Sequence, residues 1–282
     1  MRSFVPFTDG YELIDAGGNL KLERWGEIIT IRPEHQAYFQ PGKKISEWRQ
    51  LAHWEFMPVS AGSLNGSWKK LRSDAPEEWH FATCSSTVKL TAIGNKHIGI
   101  FPEQLFNWLE IQQAPIPGKF LNLFAYTGMS SVVGCAHGLD VTHVDSIRGM
   151  IDAARINMEL SGLEGIRWAV EDAFRFVQRE LKRGNRYDII QLDPPAWGLG
   201  KKGEKWKLEL LLPQLLNDCF ALLNPGGKML VSTYSPKLEL SDLQNHISGL
   251  DGVAGKLVTE IWMKSTSGKD LFFGLVAQVD KR

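Results

Sequence analysis

The chain has 282 residues, with 32 basic and 32 acidic side chains and a net formal charge of zero. That length predicts about two domains, and a content of 43% apolar and 23% charged residues excludes a disordered chain and supplies a sizeable core. No apolar run of about 18 residues exists, so no membrane span is expected, and the neutral balance confines any nucleic-acid-binding face to a local patch.

The first residues, MRSFVPFTDGYE, contain no apolar stretch of the kind a secretion signal needs and read as a mature N-terminus. Up to about residue 100 the texture is β-rich: GEIITIRP, WHFATC, STVKLTAI and NKHIGIF are short β-branched or aromatic runs separated by turn residues. Five of the ten tryptophans (Trp25, Trp48, Trp54, Trp68 and Trp79) fall here. They read first as the core of a small β domain and second as base-stacking surface. Cys84, Cys135 and Cys219 are scattered and form no CxxC pair, so neither a disulfide framework nor a metal site is expected. A reducing cytoplasm is the expected location.

From about residue 101 strands and helices alternate. FPEQLFNWLEIQQ reads as a helix, KFLNLFA as an apolar strand, and GMSSVVGCAHG as a helix ending at Gly138. DVTHVD is a strand, and the helix after it has Ser146 as candidate N-cap and Gly162 beyond its end. IRWAV, YDIIQLD and KMLVSTY are strands, with AFRFVQRELKRG and LELLLPQLLNDCFALL as helices between them and a kink possible at Pro213. LVTEIWM and DLFFGLVAQV form a terminal antiparallel hairpin. The fold class is therefore α/β: a mostly parallel, Rossmann-like sheet with helices on both faces, preceded by a small β-rich domain.

Ligands on such sheets bind beyond the carboxyl ends of the strands. The first of those ends reads NLFAYTGMSS, without the glycine pattern that cradles a pyrophosphate, and no P-loop is present. A nicotinamide or phosphate-bearing cofactor is disfavoured. Asp145 ends the second strand and can accept both hydroxyls of a ribose. Asp172 follows the third and can accept from an adenine amino group. Asp193 ends the fourth and opens DPPAW. Taken singly, each is as well explained as a helix N-cap or turn residue; together they describe a ribose and an adenine without phosphate, which is S-adenosylmethionine. Pro225-Gly226-Gly227 is read as the tight turn before the fifth strand.

On FLNLFAYTG (120–128), VTHVDSI (141–147), EDAF (171–174), DIIQLDPPAWG (188–198) and LNPGGKMLV (223–231), the chain resembles the class I S-adenosylmethionine-dependent methyltransferases. More closely, it looks like the branch with the large-subunit ribosomal RNA enzymes for cytosine C5 and guanine N7. The resemblance covers about residues 97–282, and KLERWG (21–26) is similar to a small β domain of some members. It implies a small N-terminal β-rich domain over 1–100 and a catalytic domain over 101–282. It further implies that Asn122, Phe124, Tyr126, Thr127 and Gly128 line the methionine side of the cofactor. Asp145 and Ser146 would hold the ribose, and Asp172, Ala173 and Phe174 the adenine; Phe101 and Gln104 would cap the pocket. Asp193, Pro194, Pro195 and Trp197 would face the methyl acceptor as the catalytic group, Asp193 also lying against the cofactor. Leu105 stands where related enzymes carry an arginine.

The prolines of DPPAW remove backbone donors and leave carbonyls to receive an N–H of the acceptor, with Trp197 placed to stack on an extruded base. Lys201, Lys202, Lys205 and Lys207 follow directly and read either as phosphate contacts or as a solvated loop; Tyr234 and Lys237 close the list of substrate candidates. Cytosine-C5 chemistry needs a cysteine nucleophile, which in the resembling enzymes lies after the fifth strand. Here that stretch reads Ser232-Thr233-Tyr234-Ser235, and Cys219 reads as helix packing. The expected function is methylation of a nucleobase of RNA, with ribosomal RNA as the expected substrate, at nitrogen more than at carbon. Methylation of a protein or small molecule, favoured by the neutral charge, is the alternative; a catalytically silent RNA-binding protein is a third.

Overall fold

The computed structural model describes residues 1–6, 10–199 and 205–282. The chain folds as two compact units: Phe4–Leu105 with Trp262–Phe273, and Met1–Ser3 with Phe106–Ile261 and Gly274–Arg282. The expected cut between residues 100 and 101 is therefore crossed twice. The reason is long-range bonding: Ser3 bonds Thr259 (Oγ to Oγ1, 3.0 Å), and Thr266 and Ser267, in a turn, donate their amides to the carbonyls of Leu13 and Ile14, both at 3.0 Å.

After β1 (Arg2–Phe4), the small unit carries β2 (Tyr11–Gly17), β3 (Leu20–Trp25), β4 (Ile28–Pro33), α1 (Ile45–Leu51), β5 (Trp54–Pro58) and β6 (Gly66–Lys70), a sheet in sequential order. All its pairs are antiparallel except β4–β5, which the crossover through α1 makes parallel. β7 (Glu78–Thr83) and β8 (Ser86–Thr91) form a separate hairpin. Trp25, Trp48 and Trp54 are buried, and Trp68 and Trp79 pack against the cluster around Trp54, so the tryptophans build core. Within the KLERWG segment Glu23 is fully buried; Arg32 reaches it with Nε (2.7 Å) and Nη2 (2.8 Å), and Tyr11 donates to the same carboxylate. That fork satisfies a carboxylate that would otherwise be costly to bury. HIGIF, expected as a strand, is irregular.

A 3₁₀ turn at Pro102–Gln104 ends this stretch of the small unit, and α2 (Leu105–Ile111) leads into the large one. Then come β9 (Lys119–Leu123), α3 (Met129–His137), β10 (Asp140–Asp145), α4 (Arg148–Leu160), β11 (Arg167–Val170), α5 (Ala173–Arg183) and β12 (Tyr187–Leu192). β13 (Trp197–Leu199) and β14 (Lys205–Lys207) form a short ribbon before α6 (Leu208–Leu222), β15 (Leu223–Thr233), α7 (Leu240–Ser248), β16 (Val253–Lys264) and β17 (Asp270–Lys281). The sheet order is β1-β16-β17-β15-β12-β9-β10-β11. β9, β10, β11, β12 and β15 run parallel, and β17 is antiparallel to β15. β9 and β12, in the middle of the sheet, are almost continuously buried.

Two local expectations are corrected. The α4 N-cap is Ile147 rather than Ser146, which is exposed, because the Asp145 carboxylate already takes the Ile147 amide. The Pro225-Gly226-Gly227 turn lies inside β15, with Gly226 at φ 76° and a register shift against β12. α1 and α7 were not legible as helices. Among the described residues no helix is long and apolar enough to cross a membrane.

Candidate active site

The chain goes out from β9 to β10 and β11, then returns to the other side of β9 as β12. That reversal opens a crevice at the carboxyl ends of β9 and β12. At the carboxyl ends of β9, β10, β11 and β12 lie, in turn, Phe124–Gly128, Asp145, Asp172 and Asp193–Trp197, which the strand registers set side by side: Leu123 pairs with both Val144 and Leu192, and Asp145 with Val170.

The turn after β9 is held in an uncommon backbone form. Phe124 (φ 54°), Tyr126 (φ 51°) and Gly128 (φ 82°) alternate in the left-handed region, at a cost of about 1–3 kcal/mol for each non-glycine residue. Its surroundings explain why it persists. Ala125 donates its amide to Val144 O at 3.1 Å, Tyr126 donates to Asp145 Oδ2 at 2.9 Å, and Asn157 Nδ2 of α4 donates to Thr127 O at 2.8 Å. At Gly128 a Cβ would lie 2.7 Å from the Cβ of Ala154, so both conformation and space demand glycine.

Asp145 takes Tyr126 N on one oxygen and Ile147 N on the other, the latter at 2.8 Å. Burial nevertheless holds its carboxyl above the ordinary range, against the lowering effect of those two amides. A carboxylate offers about four lone-pair directions, so two remain for hydroxyl donors. Asp172 is the N-cap of α5, accepting from Arg175 N at 3.0 Å, and is exposed. Ala173 and Phe174 begin that helix, Ala173 buried and Phe174 half-buried.

Asn122 lies in the buried end of β9, only 2% exposed, with Nδ2 on Ser131 Oγ at 2.9 Å. Ser131 in turn is 3.0 Å from Nδ1 of His143, whose Nε2 is buried without a partner among the described residues. Asn122 thus ties β9 to α3. Ser131, His143 and Asn157 were not picked out from the sequence: each reads there as one more residue of a buried helix or strand.

After β12 Pro194 is buried and Pro195 exposed, and Trp197 is open to solvent at 56% exposure rather than packed. Trp206 comes back along β14, opposite Gly198. Its Nε1 donates to Pro195 O at 2.5 Å, and its ring lies 5.3 Å from that of Phe124 at 51°. No sequence pattern marked it. Tyr234 follows the end of β15 and is exposed, as is Lys237. Phe101 and Gln104 belong to the small unit, where His97 lies 5.1 Å from the Phe101 ring. Lys201 and Lys202 lie outside the described residues.

Residues 47–247 match the family described as S-adenosylmethionine-dependent methyltransferase. The chain belongs to that family. A solved S-adenosylmethionine-dependent methyltransferase from Agrobacterium tumefaciens is 31% identical, with a TM-score of 0.91, over 100% of this chain and 94% of that one. A ribosomal RNA large subunit methyltransferase K/L from Pseudoalteromonas atlantica is 29% identical over 83% of this chain and 36% of its own length. A ribosomal RNA large subunit methyltransferase I from Aeromonas salmonicida is 29% identical over 59% of this chain and 43% of its own. The chain thus spans less than half of these curated relatives. As a methyltransferase of this family it uses S-adenosylmethionine. The residues present fit that cofactor: the turn after β9 spends the Tyr126 amide on Asp145 instead of keeping it for a phosphate, and Asp145 keeps lone pairs for hydroxyls.

Proposed function

We propose that this methyltransferase acts on a nucleobase of ribosomal RNA, at nitrogen rather than at cytosine C5, in the cytoplasm. The relatives' substrate, ribosomal RNA, supports the macromolecule. The observation that carries the choice of atom is the absence of a cysteine from the stretch after the fifth parallel strand, where the C5 nucleophile of the resembling enzymes lies. Ser232–Ser235 contains no cysteine, and Cys219 is fully buried in α6, where burial pushes its thiol well up. The neutral net charge favours the second reading, a protein or small-molecule acceptor.

When bound, S-adenosylmethionine supplies a methyl group already activated on a sulfonium. Asp145 would hold the ribose, Asp172 and the first turn of α5 the adenine, and Phe124–Gly128 the methionine end. The chain's other task is orientation and exclusion of water. Asp193 and the proline carbonyls receive the acceptor's N–H and aim its nitrogen, and Asp193 takes the proton the nitrogen gives up. Trp197 and Tyr234 offer exposed rings to the base, and Lys201, Lys202, Lys205 and Lys207 offer charge to phosphates. Labelled methyl should pass into total RNA from a strain deleted for this protein, with the label recovered in a nitrogen-methylated nucleoside by mass spectrometry. The Asp193→Ala variant should keep cofactor affinity and lose turnover. Label in 5-methylcytidine, or in protein alone, would overturn the proposal.

A further inference from the structure

We propose that the indole of Trp206 occupies the place of the methyl-accepting base in the free enzyme, and that a purine with an in-plane N–H displaces it. The inference rests on the proposed function and narrows the acceptor at the same site. The contact with Pro195 joins a planar bicyclic ring, through its N–H, to a carbonyl of the acceptor motif at 2.5 Å. Pro195 is exposed, so water serves that carbonyl equally well and burial does not require an indole there. The other side of the ring meets Phe124, the residue held at φ 54° on the cofactor turn. Trp206 therefore bridges the acceptor motif and the cofactor turn, which is where an acceptor ring has to lie.

The chemistry of the occupant indicates what can replace it. An indole is neutral and bicyclic, with one N–H in its plane. A purine has the same ring size and presents in-plane N–H groups at its amino substituent or at guanine N1; a pyrimidine is one ring short of reaching Phe124 while bonded to Pro195. The element carrying Trp206 is suited to give way. β13 and β14 pair over three residues each, and two-stranded ribbons this short are marginal by themselves. Leu208 N on Ala196 O, at 3.2 Å, fixes the base of the ribbon beyond Trp206 and remains when the ring leaves.

The test uses the full chain labelled with 5-fluorotryptophan and saturated with S-adenosylhomocysteine, the Trp206 resonance being assigned as the line missing from Trp206→Phe. AMP or GMP should shift that line, and UMP and CMP should leave it in place. Removing the competing ring in Trp206→Ala should tighten purine nucleotide binding about fivefold, since the protein no longer has to expel its own occupant. S-adenosylhomocysteine affinity, measured by calorimetry, should be unchanged, which also certifies the fold. A line that none of the four nucleotides moves overturns the proposal, as does an equal response to pyrimidines. A cofactor affinity about tenfold weaker in Trp206→Ala, with purine binding unaltered, overturns it too and makes Trp206 a wall of the cofactor pocket. Displacement by AMP or GMP in a preparation that puts no methyl into RNA would retain the purine subsite and reject RNA as the substrate.

Discussion

Asp145 concentrates the cofactor argument in one side chain. Two of its lone pairs are fixed by the amides of Tyr126 and Ile147, which aim the other two. If Asp145 holds the ribose as proposed, Asp145→Ala removes that acceptor and leaves both amides without their partner, so S-adenosylmethionine affinity should fall at least about tenfold, or 1.4 kcal/mol. Calorimetry showing unchanged affinity would place the ribose elsewhere. The pH dependence has a definite sign. Burial raises this carboxyl, and hydroxyl donors favour its ionised form, so binding should weaken as pH falls through that raised value and should release a proton there. Asp145→Asn should bind weakly with a flatter pH profile. This residue was legible in the sequence because it closes an apolar strand; the strained dihedrals at Phe124 and Tyr126 were not, because neighbouring strands and α4 impose them.

At the scale of elements, β9, α3 and β10 are joined by the buried chain Asn122–Ser131–His143. With Asn122 donating to the Ser131 hydroxyl, that hydroxyl's proton is available to His143 Nδ1, and the imidazole is kept neutral. Desolvation alone pushes its pKa down to about 3, from an ordinary 6.5. The folded value is depressed, so the unfolded chain binds a proton first. Stability should be intact above about pH 6.5 and should drop as pH falls towards 3, by up to about 1.4 kcal/mol per pH unit for this one site. His97 in the small unit is pushed down to about 3 as well, by burial first and then by Arg32 and Lys96, and adds a similar slope there. Denaturant midpoints at several pH values should show a gentler decline in His143→Gln, and an identical decline would remove His143 from the account. The regular elements here were legible from period and caps: Gly138 and Gly184 end α3 and α5, and Asp172 starts α5. The β13–β14 ribbon was not, because strands of three residues have no period to read, and Trp206 acquires meaning only through Phe124 and Pro195.

For the molecule as a whole, 32 positive and 32 negative groups leave no net field to gather a polyanion. The Rossmann-like sheet and its ligand edge could be read from the alternation of elements, since five parallel strands must be joined by helices. The two crossings between units could not, because they depend on the pairings of Ser3 with Thr259 and of Thr266 with Leu13. Charge balance then constrains how RNA is held. Without a background field, the salt dependence of binding should report local lysines alone. If Lys201, Lys202, Lys205 and Lys207 each neutralise one phosphate, the logarithm of affinity should fall against that of salt with a slope no steeper than about −3.6, and each Lys→Ala should reduce it by about one. Binding titrations with a ribosomal RNA fragment across a salt series would measure this. A slope left intact when all four lysines are replaced would move the phosphate contacts off the segment that follows the acceptor motif. A much steeper slope in the unsubstituted protein would mean that several phosphates are gathered by basic groups distant in sequence from Asp193.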